Sequence, residues 1–185
     1  WIGSLAIIGF PYLSGYYSKE SILKNAYYAS NNIAYFAYIV GILTALLTAF
    51  YSWRLLFLTF HGENRSKIKT YNNAHESPLV MTIPLFILAI GSIFSGVIFA
   101  DYFIGYYKKE FWDGALILSQ SSYKYLPFTQ SLISKFAVAF GIFICVVIYS
   151  YNKQRAKNIS YNLDPLYSIS KNKWYIDELY QRVFV

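Results

Sequence analysis

Charge-free runs divide the chain. Positions 33–53 hold 21 residues with no acidic or basic side chain, and the apolar character resumes after Arg54 as far as Phe60. Positions 77–100 add 24 such residues and 136–152 another 17, the last extending back across Lys135 to Pro127. A membrane-crossing helix needs roughly 20 apolar residues. The pattern therefore predicts three complete transmembrane helices, over 33–60, 77–100 and 129–151. Periodicity favours helix over strand only weakly here, because a segment apolar on all sides shows little amphipathicity. The opening segment, 1–30, is apolar but interrupted. Its stretch 9-GFPYLSGYYSKES-21 puts Gly9, Pro11 and Gly15 where a spanning helix should run on. It is predicted as a discontinuous transmembrane helix that ends near Phe10 and restarts near Ser18. The fold class is all-α: a polytopic transmembrane helical bundle with one broken helix followed by three complete spans.

Punctuation and small residues support this division. Asn31 and Asn32 can cap the 33–60 helix, and Ser77 with Pro78 reads as an N-cap and first-turn proline for the next. Pro84 falls inside that helix, which a lipid-embedded helix tolerates when neighbours satisfy the freed carbonyl. Small residues recur at four-residue spacing: Gly41, Ala45 and Ala49; Gly91 and Ser95; Ala137, Gly141 and Cys145. Such stripes let helix backbones approach closely in lipid. Arg65, Lys67, Lys69, Lys153, Arg155, Lys157, Lys171, Lys173 and Arg182 fall on one side of the alternating spans. Lys24, Lys108, Lys109 and Lys124 fall on the other, with Lys135 near it. The richer side is the expected cytoplasmic or matrix face, which places the 152–185 tail there. Within that tail, 173-KWYIDELYQRVFV-185 reads as an interfacial amphipathic stretch.

Composition narrows the chemistry. The chain is 56% hydrophobic and 14% charged, where a soluble domain carries about 25% charged residues. The net charge of +7 lies between apolar runs, so it belongs to membrane topology and not to nucleic-acid binding. With one cysteine, Cys145, neither an internal disulfide nor thiolate-bound metal is expected. His61 and His75 match no metal spacing, and no G-x-G-x-x-G occurs. No cofactor is expected in this chain. Because it starts at Trp1 within an apolar segment and stops after Phe184–Val185, it is expected to be an internal piece of a longer protein.

The break carries the candidate chemistry. Irregular backbone at membrane depth is tolerated only against protein or a water-filled cavity, and discontinuous helices mark transport sites in many carriers. With Ser18 as cap, Lys19 and Glu20 would occupy the first turn of the restarted helix, whose positive end favours Glu20 and disfavours a charged Lys19. Glu20 would pair with Lys24, four residues on. Lys19 then has two readings: a group that takes up and releases protons, or an anchor that snorkels to the interface. Arg54 and Lys135 read as interfacial anchors. His61, Glu63, His75 and Glu76 read as solvated loop residues, with proton relay as the alternative, and Asp177 and Glu178 as surface charges.

Four stretches, GSLAIIGFPYLSGYYSKESIL, YSWRLLFLTFHGENR, HESPLVMTIPLFILAIGSIFSGVI and NKWYIDELYQRVFV, together resemble the C-terminal part of one family. That family is the antiporter-like subunit L, mitochondrial chain 5, of NADH–quinone oxidoreductase, respiratory complex I. The resemblance covers nearly all of the chain, least over 101–128. It implies an antiporter-like fold of inverted repeats with broken helices, and a lateral helix beginning after Val185. It also implies a proton-translocating subunit of the bacterial inner or mitochondrial inner membrane. NAD, flavin, iron–sulfur and quinone would then be held by partner subunits, and the partners would be other membrane subunits of complex I, the lipid bilayer and protons. Lys19 matches the family's broken-helix lysine, which hands protons to the outer face, and Glu20 the acidic residue that modulates it. Thr44, Thr48 and Ser52 are candidate wall groups for a water-lined path. The family's break usually holds two consecutive prolines, whereas here Tyr12 follows Pro11. The alternatives are a subunit of a multisubunit sodium/proton antiporter, which shares the broken helix and lysine, and a purely structural membrane subunit.

Overall fold

In the computed structural model, which describes residues 1–29, 31–62, 71–72, 74–116, 127–149 and 153–184 (of 153–157 the backbone alone), all regular structure is helical. Glu63, Arg65, Lys67, Lys69, Lys124 and positions 150–152 lie outside the described residues. Among the described residues, three helices are long and apolar enough to cross a membrane: α3 (Asn32–Phe60), α4 (Leu79–Phe103) and α6 (Phe128–Tyr149). Before them come two short helices, α1 (Ile2–Ile8) and α2 (Ser14–Tyr28), and between α4 and α6 a single turn, α5 (Lys108–Trp112).

Local chemistry accounts for the boundaries. Asn31 is extended (φ −132°), and its side-chain oxygen accepts the Ala34 N–H at 2.6 Å, so α3 starts on an N-cap. Before α4 the expected cap shifts by one residue. Pro78 itself is the extended N-cap (φ −62°, ψ 158°), its carbonyl taking the Met81 and Thr82 N–H groups. A proline there loses nothing, since no N–H is needed. Pro84 lies inside α4.

Trp1–Cys145 and Val146–Val185 form separate compact units. In the first, small residues set the packing. Gly141 faces the α3 backbone so closely that a Cβ there would overlap the Leu46 carbonyl and stand 3.2 Å from Ala49 Cβ. Ala45, Ala49 and Cys145 are buried. Gly96 of α4 leaves only 2.7 Å between a would-be Cβ and the Ser14 Cα of α2, and Gly41 of α3 the same distance from Leu23 Cδ2. The stripe on α4 is only half used, because Gly91 has nothing within 4 Å.

The second unit holds α7 (Lys153–Asn162), α8 (Asp164–Lys171) and α9 (Ile176–Phe184). Lys173, Trp174 and Tyr175 between α8 and α9 are all left-handed, at φ 53°, 59° and 55°. Such a turn costs about 1–2 kcal/mol per residue. It is tied by Asn172 Nδ2 donating to Tyr175 Oη at 2.7 Å and by the Lys173–Asp177 ion pair at 2.8 Å. On α9, Ile176, Leu179, Tyr180, Val183 and Phe184 are exposed and share one helix face.

The α3–α6 seam is testable in the purified full-length subunit. Gly141→Ala presses a methyl on the Leu46 carbonyl and should cost about 1–3 kcal/mol, lowering the thermal midpoint by several degrees. Gly91→Ala should leave it unchanged or raise it. Equal midpoints would remove the close-packing role of the seam.

Candidate functional site

The break runs from Gly9 to Leu13. Gly9 sits in the left-handed region (φ 78°, ψ 44°) and ends α1 in a Schellman arrangement: its N–H bonds the Ala6 carbonyl and the Phe10 N–H bonds that of Leu5. The chain then turns on Pro11 and Tyr12, closed by Leu13 N–H to Phe10 O at 3.2 Å. Tyr12 has φ 70°, as the third residue of a type II turn must. A second proline, fixed near −65°, has no place at that position, which gives the departure from the double-proline pattern a physical reason.

The predicted boundaries are corrected on both sides of the break. α1 ends at Ile8, not near Phe10, and α2 begins at Ser14, not near Ser18. Ser18 is therefore no cap; its hydroxyl donates to Gly15 O at 3.2 Å. Lys19 and Glu20 lie in the second turn of α2, away from its positive end. Gly15 falls inside α2, where its missing side chain lets the Ala6 carbonyl approach.

Lys19 completes the end of α1. A helix leaves its last four carbonyls without intrahelical donors. The Leu5 and Ala6 carbonyls are met by the Schellman bonds, leaving those of Ile7 and Ile8. Lys19 Nζ donates to both, at 3.3 and 3.2 Å. The expected dipole relation is thus reversed: Lys19 faces the negative end of a half-helix, where cations bind. Gly9 makes room for this, as a Cβ there would lie 3.3 Å from Lys19 Cδ.

Beside this contact lies a cavity of about 280 Å³ between the broken helix and α6. Its polar lining is Tyr16, Lys19, Glu20, Ser134 and Lys135, within apolar walls that include Leu23, Val138 and Ile142. Glu20 Oε1 accepts the Ser131 hydroxyl of α6 at 3.1 Å, and Tyr16 is hydrogen-bonded to Glu20. Lys135 Nζ stands 5.6 Å over the Tyr16 ring, within cation–π range. The structure thus brings together Lys19, Glu20, Gly9 and Pro11, and adds Tyr16, Ser131 and Ser134, which sequence reasoning missed, and Lys135, which it read as an interfacial anchor. The signal was present in 130-QSLISK-135, whose Ser131, Ser134 and Lys135 fall at i, i+3 and i+4 on one face of an otherwise apolar helix.

Thr44, Thr48 and Ser52 do not line this cavity. The two threonine hydroxyls are turned onto their own helix, donating to Val40 O and Thr44 O. Ser52 is buried, with Oγ lacking a hydrogen-bond partner. His61 is packed edge-on to Trp1 and Phe57, and Arg54, His75, Glu76, Asp177 and Glu178 are exposed. A second cavity of about 340 Å³ gathers Lys24 of α2 with Lys108 and Trp112 of α5. Lys108 is buried, and that desolvation, followed by the Lys24 ammonium, holds its own ammonium below the usual lysine range.

Comparison with known proteins bears on what this arrangement does. The family described as NADH dehydrogenase subunit 5 C-terminus matches residues 51–110. NADH-ubiquinone oxidoreductase chain 5 of Phytophthora infestans is 36% identical over 97% of the chain, which covers 28% of that relative. NADH-quinone oxidoreductase subunit L of Rickettsia bellii is 36% identical over all of the chain and 29% of its own length. Chain 5 of Metridium senile is 40% identical over 83% of the chain and 23% of its own length. The chain thus spans less than a third of the length of the curated relatives it matches.

Two outcomes follow from the geometry. Gly9→Ala puts a side chain into a left-handed position, at about 1 kcal/mol, and pushes on Lys19; thermal unfolding of the full-length subunit should show the loss, whereas Gly3→Ala, in open space, should not. Lys108 binds its proton less tightly folded than unfolded, so the unfolded state holds more protons as pH rises toward 10.5. Stability should rise with pH over that window, and Lys108→Met should flatten the rise. A slope unaffected by that substitution would contradict the assignment.

Proposed function

We infer, because the chain belongs to the NADH-ubiquinone oxidoreductase chain 5 family, whose bacterial members are named NADH-quinone oxidoreductase subunit L, that it is a proton-translocating membrane segment of that oxidoreductase. NAD, flavin, iron–sulfur and quinone chemistry belongs to partner subunits. This segment moves protons, driven by conformational or electrostatic coupling to that chemistry. The relatives are complex I subunits by name, which favours this reading over a sodium/proton antiporter.

The observation that carries the reading is Lys19 on the Ile7 and Ile8 carbonyls at the edge of the cavity. An ammonium has three N–H donors and a neutral amine two. Lys19 can therefore give a proton to the cavity and still donate to both carbonyls, so the proton cycle never strips the helix end of its partners. Unsatisfied backbone groups in hydrocarbon cost several kcal/mol each, and a proton carrier that caused that loss would be slow. Glu20, held by Ser131 and Tyr16, lines the same cavity as Lys19 and is the acidic group of the path.

The test places Lys19→Arg and Lys19→Met in the full-length subunit of the assembled complex, with proton uptake by sealed vesicles followed alongside NADH oxidation. Arginine keeps the carbonyl contacts available but does not deprotonate. Assembly with uptake reduced about tenfold or more in both variants is the expected result. Full uptake with arginine would make Lys19 a structural cap and overturn the reading.

A further inference from the structure

We propose that Lys135 of α6 is a second proton-transfer group, which receives the proton that Lys19 gives up and releases it toward the end of α6 that begins at Phe128. This rests on the proton-transfer reading of Lys19. Three observations carry it.

Both lysines line one cavity of about 280 Å³. Water occupies about 30 Å³ per molecule in the liquid, so this volume has room for several against its polar lining of Tyr16, Lys19, Glu20, Ser134 and Lys135. The groups facing Lys135 there are Tyr16, Lys19 and Glu20 from α2 and Ser134 from its own helix; the break contributes the uncharged Gly9, Phe10 and Pro11. Both lysines and one carboxylate, that of Glu20, thus line a single cavity with largely apolar walls.

Glu20 links the two sides of the cavity. It accepts the Ser131 hydroxyl of α6, while Tyr16, which is bonded to it, lies under the Lys135 ammonium. The Tyr16 ring face is a weak partner that stabilises a cation without binding its protons. Lys135 is thereby kept near the carboxylate without being locked in an ion pair, which suits a group that must release its proton.

Polar side chains recur from Lys135 toward the start of α6, at Ser134, Ser131 and Gln130. The Ser134 hydroxyl donates to Ser131 O at 3.0 Å, and Gln130 Oε1 accepts the Tyr38 hydroxyl of α3 at 2.8 Å. Lys135 lies seven positions along from Phe128, about 10 Å along the helix axis, so the release step spans a short distance. The step balances as a proton relay: Lys19 ammonium becomes amine, Lys135 amine becomes ammonium, and the proton then leaves from Lys135 to water. No electron moves.

Snorkelling is the competing role, and it makes the opposite prediction for arginine. In the full-length subunit within the assembled complex, Lys135→Arg keeps an anchoring cation that cannot give up its proton. Vesicle proton uptake should fall about tenfold with either Lys135→Arg or Lys135→Gln. Lys135→His, whose side chain releases its proton roughly four pH units below lysine in water, should retain part of the uptake. Its alkaline limb should move down by at least one unit, and this variant decides the matter if the glutamine variant fails to assemble. Wild-type uptake with Lys135→Arg, or an unmoved pH profile with Lys135→His, overturns the proposal. If that occurs while Lys19→Arg still abolishes uptake, only the second station is lost. If Lys19→Arg is silent too, the underlying reading fails.

Discussion

A backbone carbonyl that loses its helical partner at membrane depth must find another donor, from protein or from a water-filled cavity. That constraint shapes the first thirty residues. Breaking a helix there exposes four carbonyls at the end of α1. The backbone satisfies two of them through the Gly9 turn, and Lys19 satisfies the other two. The break and the lysine are therefore one structure, since the open helix end would be costly without an ammonium or amine, and the lysine would have no seat without the open end. The crossing helices follow from the same need. Gly15 brings the start of α2 against α1 at Ala6, and Gly96 brings α4 against α2 at Ser14 and Tyr17.

Much of this was legible in the sequence because it was written in long, redundant signals. Long apolar runs, of 21, 24 and 17 uncharged residues, announce a span whatever their order, and α3, α4 and α6 begin within two residues of the expected 33, 77 and 129. Glycine and proline at 9 and 11 mark the break for equally local reasons. The restart was misplaced because Ser18 looks like a cap, and serine is a strong one. The structure uses no side-chain cap on α2 at all; Leu13 precedes it, and the Pro11–Tyr12 turn sets where the helix resumes. That four-residue error changed the electrostatic picture, moving Lys19 from the positive end of one helix to the negative end of another.

Cross-helix partners were the least readable. Nothing local to Lys135 says that Tyr16 lies beneath it, because the two are separated by more than a hundred residues and meet only through the packing of α6 on α2 and α3. Spacing shows which side chains share a face of one helix, but not what that face meets. Thr44 and Thr48 illustrate the opposite failure. Their regular spacing beside a packing stripe suggested a polar wall, yet a threonine in a helix has a carbonyl of its own four residues back, and in both cases it takes that one.

The unequal lengths of the spans have a mechanical consequence. At about 1.5 Å per residue, the 29 residues of α3 run about 44 Å and the 22 of α6 about 33 Å, against a hydrocarbon layer of about 30 Å. The Ala49–Gly141 contact joins the two near their middles, so the surplus in α3 is carried at its ends, by tilt or by local thickening of the lipid. A bilayer of uniform thickness cannot suit both helices at once. Lipids of different acyl length will accordingly bear on the angle at which the long helix lies.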